Sequence, residues 1–414
     1  MVIEEIPVKP TQAQLRLLRA HLPYSLTVLR RLQVAAGAFD GINSGGLTGS
    51  GTSEYARVLF AYDGAQVPSK VEDDAVHTPF AAAFVDLSKA RETATWIYAS
   101  DQDQSLPPGA DLYAADNDQP ASWVVDRGAE LVSSWSPARR ARSRRLVLAL
   151  LRRIRAIAQD VAPALAVPFP DRFGMDGAAA DVVKSVKANV HDGIRYLLQN
   201  PDDAADDPDR TAVVLTYFDA YDKWLFRFED VPVLSQPEDT ELATGIREDV
   251  ADGGPDGARA SLSWDRVRSQ DDASLVISRT SIPRTVHTLL GIPSVALREK
   301  AATKGQDGTL QAWAFVGVDG SLWTLHTEPK YRGHGLAKTL AARLLRQYCG
   351  AFNATIDGQT GNGTADDAKG DGWCAADVSA KNRQSQAVCR RLGGKRTWAT
   401  SWIVVSYDSL GDDG

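Results

Sequence analysis

Much of what this 414-residue chain lacks is informative. It has only three cysteines, Cys349, Cys374 and Cys389, odd in number and without the spacing of metal ligands. They read as buried reduced thiols, and no metal is expected. No apolar run approaches the roughly 18 residues that a membrane helix needs, and Met1 to Pro10 carries no signal-peptide pattern. No membrane partner is expected, and the chain reads as soluble and cytoplasmic. Positive charge is not in excess: 46 Lys and Arg face 53 Asp and Glu, and the net charge of −7 argues against a nucleic-acid partner. The pattern GxxxxGK[ST] occurs nowhere, and GxGxxG is missing from the basic glycine turn at 332–337, which sets aside the two commonest nucleotide loops. A composition of 43% hydrophobic and 24% charged residues is that of globular material, long enough for two or three domains with substantial cores.

What is present centres on Ser321 to Gln347, SLWTLHTEPKYRGHGLAKTLAARLLRQ. An apolar run reads as a strand, Pro329 ends it, and Arg332-Gly333-His334-Gly335 turns into a helix with Leu336, Leu340, Leu344 and Leu345 on one face. Amides at a helix N-terminus have no intrahelical partner and carry the positive end of the helix dipole. Two glycines there let an anion approach them, and a pyrophosphate is the expected guest.

Arg332 to Ala337, after a strand closing in T-E-P-K-Y, resembles motif A of the GNAT superfamily of N-acetyltransferases, [QR]-x-x-G-x-[GA]. Asn382 to Gly393 is similar to that family's N-x-x-[AS]-x-x-x-[YC]-x-x-x-G segment, between strands expected at Trp373 to Val378 and Thr397 to Tyr407. Within the superfamily, LRLLRAHLPYSLTVLRRLQ and DGSLWTLHTEPKYRGHGLAKTL resemble the glycine N-acyltransferase-like branch. The resemblance implies an α/β (α+β) chain: a C-terminal GNAT domain, 256–414, with a mixed, mostly antiparallel sheet flanked by helices, after an N-terminal α/β domain, 1–255, that is itself a diverged GNAT-like half. It implies an acyl-CoA co-substrate, acetyl-CoA or another, with the backbone of Leu325 and Thr327 on the pantetheine. Arg332, Gly333, His334, Gly335, Leu336, Ala337 and Lys338 would lie on the pyrophosphate, and Asn382 would help to position the cofactor.

In chain order, Thr11 is a candidate helix cap before Leu15, Leu18 and Leu22, and Pro23 breaks that helix. Strands are expected at Ser25 to Val34, Tyr55 to Tyr62, Pro79 to Asp86 and Thr93 to Ala99, with a flexible Gly/Ser loop at 41–51. Helices are expected from Ser136 to Asp160 and from Ala178 to Gln199. Eight arginines between 139 and 155 read as a solvated face. Thr211 to Tyr217 and Lys223 to Phe228 read as a short strand pair, and Ser235 to Ala260 as a linker. Beyond it the pattern predicts a strand at Leu262 to Val267, helices at Asp271 to Thr280 and Arg284 to Leu290, strands at Ser294 to Glu299 and Leu310 to Val318, and a surface loop at Ala351 to Asp371.

For chemistry, an amine that attacks a thioester must first lose a proton: an alkylammonium of pKa about 10.4 is neutral only about once in 2,500 at pH 7. The residue types available for this are His326, Glu328 and Asp377. The resemblance places Ser321 where many members have a Glu base, and Cys389 where they have a Tyr that protonates the departing thiolate. Strand alternation puts His326 on the face opposite Thr327. Arg279 and Arg284, with Thr280, Ser281 and His287, lie at the turn that borders the acceptor pocket in the GNAT fold, where two arginines suit an acceptor carboxylate. The expected activity is N-acylation of a small-molecule amine or amino acid. A protein amine as acceptor and a catalytically silent acyl-CoA-binding module are the alternatives.

Overall fold

The computed structural model describes residues 1–7, 9–40, 52–64, 78–88, 95–104, 126–165, 183–204, 206–233, 242–247, 259–282, 284–299, 308–348, 352 and 371–411. Strand β1 (Val2–Pro7) leads to α1 (Gln12–Ala20), and Thr11 caps that helix reciprocally: Thr11 Oγ1 accepts from the Gln14 N–H, and Gln14 Oε1 accepts from the Thr11 N–H. The segment expected as a strand at Ser25 to Val34 is helix α2 (Leu26–Ala35). All of its residues but Thr27 are buried, and a helix covered on every side has no polar face to show its period. Strands β2 (Ala56–Tyr62), β3 (Phe80–Asp86) and β4 (Thr95–Ala99) lie where the sequence predicts them, followed by α3 (Arg127–Ser133) and the long α4 (Pro137–Leu165).

Two further expectations fail. The described part of Ala178 to Gln199 is strand β5 (Ser185–His191) and then helix α5 (Asp192–Gln199); Val186, Ala188 and Val190 alternate into the core with the period of a strand. The supposed strand pair between 211 and 228 is one 13-residue strand, β6 (Leu215–Arg227), whose central Asp222 is buried rather than turned to solvent because Arg127 reaches its carboxylate.

The second half runs β7 (Leu242–Arg247), β8 (Arg259–Asp265), α6 (Gln270–Ser278), α7 (Val286–Gly291), β9 (Ser294–Glu299), β10 (Leu310–Val316), β11 (Leu322–Thr327), α8 (Leu336–Tyr348), β12 (Trp373–Ser379), α9 (Arg383–Arg391) and β13 (Lys395–Ser406). Strand β7 falls inside the stretch expected as a linker; 234–241 and 248–258 lie outside the described residues. So do the Gly/Ser loop at 41–51, Cys349, and Ala351 to Asp371 apart from Phe352 and Asp371.

The two halves repeat one order of elements. β1-α1-α2-β2-β3-β4-α4-β5-α5-β6 corresponds to β8-α6-α7-β9-β10-β11-α8-β12-α9-β13, with antiparallel pairing through the first four strands of each. In both, the fourth strand then meets the fifth in parallel and briefly, through Thr95 and Trp96 opposite Ala188 and Asn189 in one half and through the single bridge Ser321 to Ala375 in the other. The closing strands are exchanged. β13 pairs with β5, β6 pairs with β12, and β6 and β13 pair with each other, giving the order β1-β2-β3-β4-β5-β13-β6-β12 in one sheet and β11-β10-β9-β8-β7 in the other. The pairing therefore crosses position 255 in both directions.

Helix α4 covers one face of the first sheet through Leu146, Leu150 and Ile154, while α1 and α2 cover the other through Leu15, Leu29 and Leu32. Helix α8 packs Leu340, Leu344 and Leu345 over the second sheet. The arginines of α4 are bonded within the chain rather than solvated: Arg142 pairs with Asp101 at 2.7 Å, Arg144 with Asp207 at 2.7 Å, Arg152 with Asp209 at 2.6 Å and Arg153 with Glu5 at 2.6 Å. Among the described residues no helix is long and apolar enough to cross a membrane.

Candidate functional site

The loop between β11 and α8 joins a strand end to a helix start through two glycines. Gly333 and Gly335 sit at φ +84° and +81°, the left-handed region that side chains avoid. A Cβ at either would meet nothing within 4 Å among the described residues, so these leave the space before the loop open. Arg332 to Gly335 are exposed and Leu336 is buried, anchoring the helix start. The first bond back into the loop is from Thr339 N–H to the Gly335 carbonyl at 3.1 Å, so the amides of Leu336, Ala337 and Lys338 precede the helical ladder, as a helix start requires. Arg332 Nε donates to the Thr327 carbonyl at 2.9 Å and ties the loop to the strand end. Thr327 Oγ1 is buried without a hydrogen-bond partner among the described residues, and the Leu325 side chain packs against the α8 core. These residues fit the pyrophosphate and pantetheine of an acyl-CoA.

Beyond the Ser321 to Ala375 bridge, β11 and β12 part. Thr324 takes a positive φ of 48°, and the register of β10 on β11 shifts between Trp313 and Phe315. This bulge breaks the simple alternation expected along β11. His326 stacks on Trp313 at 4.5 Å, its Nε2 buried 3.8 Å from Glu328 Oε1, and burial lowers its pKa. Glu328 accepts from Arg279 Nε at 2.8 Å, so it is held by a cation rather than solvated. Arg284 lies over the Trp323 ring at 4.4 Å. The two arginines thus stand on the β11 side of the opening, one ion-paired and one stacked.

Asp377, two residues past Ala375, lies beside the opening. It contacts Lys223 Nζ at 2.6 Å; burial raises its pKa and Lys223 opposes that shift. Lys223 itself is buried and donates to Thr27 Oγ1 at 3.1 Å. Ser321 is committed to Asp319 through its Oγ at 2.6 Å. Cys389 is a core residue: burial pushes its thiol up to about 12, so it is a poor proton source for a leaving thiolate. Asn382 is the N-cap of α9, accepting from the Ser385 N–H at 3.0 Å.

The loop and Thr327 lie at the end of β11, and Asp377 lies on β12 beside the opening between the two strands. Lys223 is the residue that sequence reasoning missed. Its signal was a lysine directly before Trp224-Leu225-Phe226, an apolar run in which a lysine needs a buried partner.

The family model of the Acyl-CoA N-acyltransferase verG N-terminal domain matches residues 2–224. No curated protein matches the chain in sequence. Solved structures similar to it include a Drosophila protein (12% identity, 99% of this chain and 99% of that chain, TM-score 0.45). A GCN5-related N-acetyltransferase from Sphaerobacter thermophilus is 13% identical and matches over 97% and 95%, with a TM-score of 0.38. A tandem GNAT protein from the clavulanic acid biosynthesis pathway is 11% identical and matches over the whole of both chains, with a TM-score of 0.36. At these values the three structures bear on neither substrate nor site residues.

Proposed function

Since the chain belongs to the acyl-CoA N-acyltransferase family defined by the verG N-terminal domain, within the GNAT superfamily, we propose that it transfers an acyl group from coenzyme A to the amine of a small molecule. The observation that carries this reading is the open glycine loop at the start of α8, at the end of a strand that parts from its neighbour. Bound there, acyl-CoA supplies the activated carbonyl. The chain's own contribution is to hold the pyrophosphate on the amides of the 333–338 turn with Arg332 beside it, and to hold the pantetheine along the backbone of Leu325 and Thr327. An amine entering between β11 and β12 attacks the carbonyl carbon, the C–S bond breaks, and the thiolate leaves. The proton lost by the amine goes to Asp377, the carboxylate nearest the opening on β12. Orientation of the two reactants supplies much of the rate.

The test has two parts. Gly335→Glu places a side chain and a negative charge where the phosphate belongs. It is expected to weaken coenzyme A binding by about 100-fold or more in calorimetry, the loss of a charge-assisted contact plus like-charge repulsion. Unchanged affinity contradicts the site. Coenzyme A release measured against a panel of amines tests the reaction, and tight binding with no release for any amine would favour a silent binding module.

A further inference from the structure

Strand β6 belongs to the first half, yet it lies against β12 of the second, and the register sets Lys223 directly opposite Asp377. Opposed residues of an antiparallel pair share one face of the sheet, with Cβ atoms about 4.5–5.5 Å apart. A lysine at this position cannot reach water: Lys223 is 2% exposed, whereas the Asp377 side chain keeps 12% of its surface. Nζ lies 2.6 Å from Asp377 Oδ1, which has no aligned hydrogen-bond donor among the described residues, so the lysine acts on that oxygen as a close charge.

Helix α2 holds both members of the pair. Thr27 Oγ1 accepts from Lys223 Nζ at 3.1 Å. One turn along, Arg30 donates to Asp371 through Nη1 at 2.7 Å and to the Trp373 carbonyl through Nη2 at 2.9 Å, where β12 begins. Residues three apart lie on one side of a helix, so a single face of α2 fixes the lysine and the strand that carries its partner. The other charged groups around the pair do not stand in for the lysine. Asp319, from the turn before β11, adds to the shift that burial imposes on Asp377, and it is itself bound to Ser321 and to the Trp96 indole. Asp222, next along β6, is held by Arg127, and Tyr221 donates to Asp219. Arg31 of α2 lies over the Phe84 ring. His191, which lines a small cavity with Lys223, is neutral at pH 7 because burial brings it down to about 4, against the pull of Asp192. Among the described residues, Lys223 is thus the cation at Asp377.

We propose that Lys223 is a positioning residue for acyl transfer, through which the first half of the chain holds the Asp377 carboxylate at the opening of the second. The inference rests on the acyl-transfer reading above, in which Asp377 takes the proton of the attacking amine. Without the ammonium, burial and Asp319 act unopposed, and the carboxyl keeps its proton to higher pH. A protonated Asp377 cannot accept a second proton, so the lysine extends the working range of the base toward lower pH.

The experiment uses the full chain and two readouts. NMR of protein labelled at the aspartate carboxyl carbons, with Asp377→Asn to assign the resonance, follows the titration of Asp377 with no substrate present. Coenzyme A release measured against pH follows the reaction as kcat/KM. Lys223→Met is expected to move the Asp377 titration up by about 1–3 pH units, the size of an adjacent-charge effect, and to carry the acid limb of the rate profile with it. A loss of packing alone would lower the rate equally at every pH. Lys223→Arg, which keeps the charge, is expected to bring the limb back toward its place. Should Lys223→Met fail to fold, Thr27→Val removes only the hydroxyl that holds the ammonium and is expected to move both curves the same way by less. An Asp377 titration that stays in place in the folded variants overturns the inference. So does an acid limb that stays while the titration moves; coenzyme A release then continues and the acyl-transfer reading stands. A shifted titration in a protein that releases no coenzyme A with any amine removes that reading, and the role of Lys223 with it.

Discussion

Asp377 and His191 show how burial sets the working state of single residues. Burial raises the Asp377 carboxyl above the ordinary carboxylate value, with Lys223 opposing the shift and Asp319 adding to it. Replacing Asp377 by Asn is expected to lower turnover by about 10² or more, with acyl-CoA affinity unchanged in calorimetry. The acid limb of the rate profile, where turnover falls as pH drops and the carboxylate takes a proton, should vanish in the same variant. His191 is neutral in the fold because burial brings it from 6.5 down to about 4, against the pull of Asp192. Below pH 6.5 the unfolded chain takes up a proton that the folded chain refuses. This residue's contribution is therefore intact above about 6.5 and is lost as pH falls toward 4, a drop of about 3 kcal/mol at 1.36 kcal/mol per pH unit. His191→Asn keeps a helix-capping side chain for α5 but does not titrate. Urea midpoints of the two proteins should converge as pH is lowered from 7.5 to 4, and parallel curves would contradict this account.

At the scale of elements, α4 is the clearest case of charge turned inward. Arg144 and Asp207 are both fully buried, and Arg144 also donates to the carbonyls of Leu197, Asp209 and Thr211. Arg144→Leu leaves Asp207 as an uncompensated buried charge and is expected to cost about 3–5 kcal/mol in urea unfolding. Arg145, a third exposed and 3.9 Å from Asp63, should lose less than about 1 kcal/mol on replacement by Ala. The sequence shows eight arginines in a row of helical turns, but not the acids at 63, 101, 207 and 209 that meet them, because those contacts are set by the sheet beneath. The same distinction explains what was legible elsewhere. Strands β9 and β10, helices α6 and α8, and the glycine loop follow from local period and turn chemistry. Helix α2 was hidden by burial on all sides, and β5 by the helix that follows it. Alternation along β6 reveals which residues face the core, but which strand lies beside it is a non-local fact. For that reason Lys223 could not be joined to Asp377 from the sequence, although each residue was in plain view.

For the molecule as a whole, the exchange of closing strands binds the halves more firmly than a linker would. A fragment of residues 256–414 keeps β12 and β13 but loses β6, the strand between them, and β5, the outer partner of β13. It is expected to be largely unstructured by circular dichroism and to show no cooperative melt. Mixing it with residues 1–255 should restore a cooperative melt, since the two pieces supply each other's missing strands. A fragment that melts cooperatively on its own would contradict the exchanged pairing.

The exchange also fixes when, during synthesis, the protein can become itself. Strand β5 waits beside an empty place until β13, the last strand made, leaves the ribosome, more than 200 residues later. Through most of translation the first half carries an open sheet edge with Val186, Ala188 and Val190 behind it. Completion of this sheet thus waits until β13 is made, and the nascent chain has a long interval in which that edge is unpaired by its native partner.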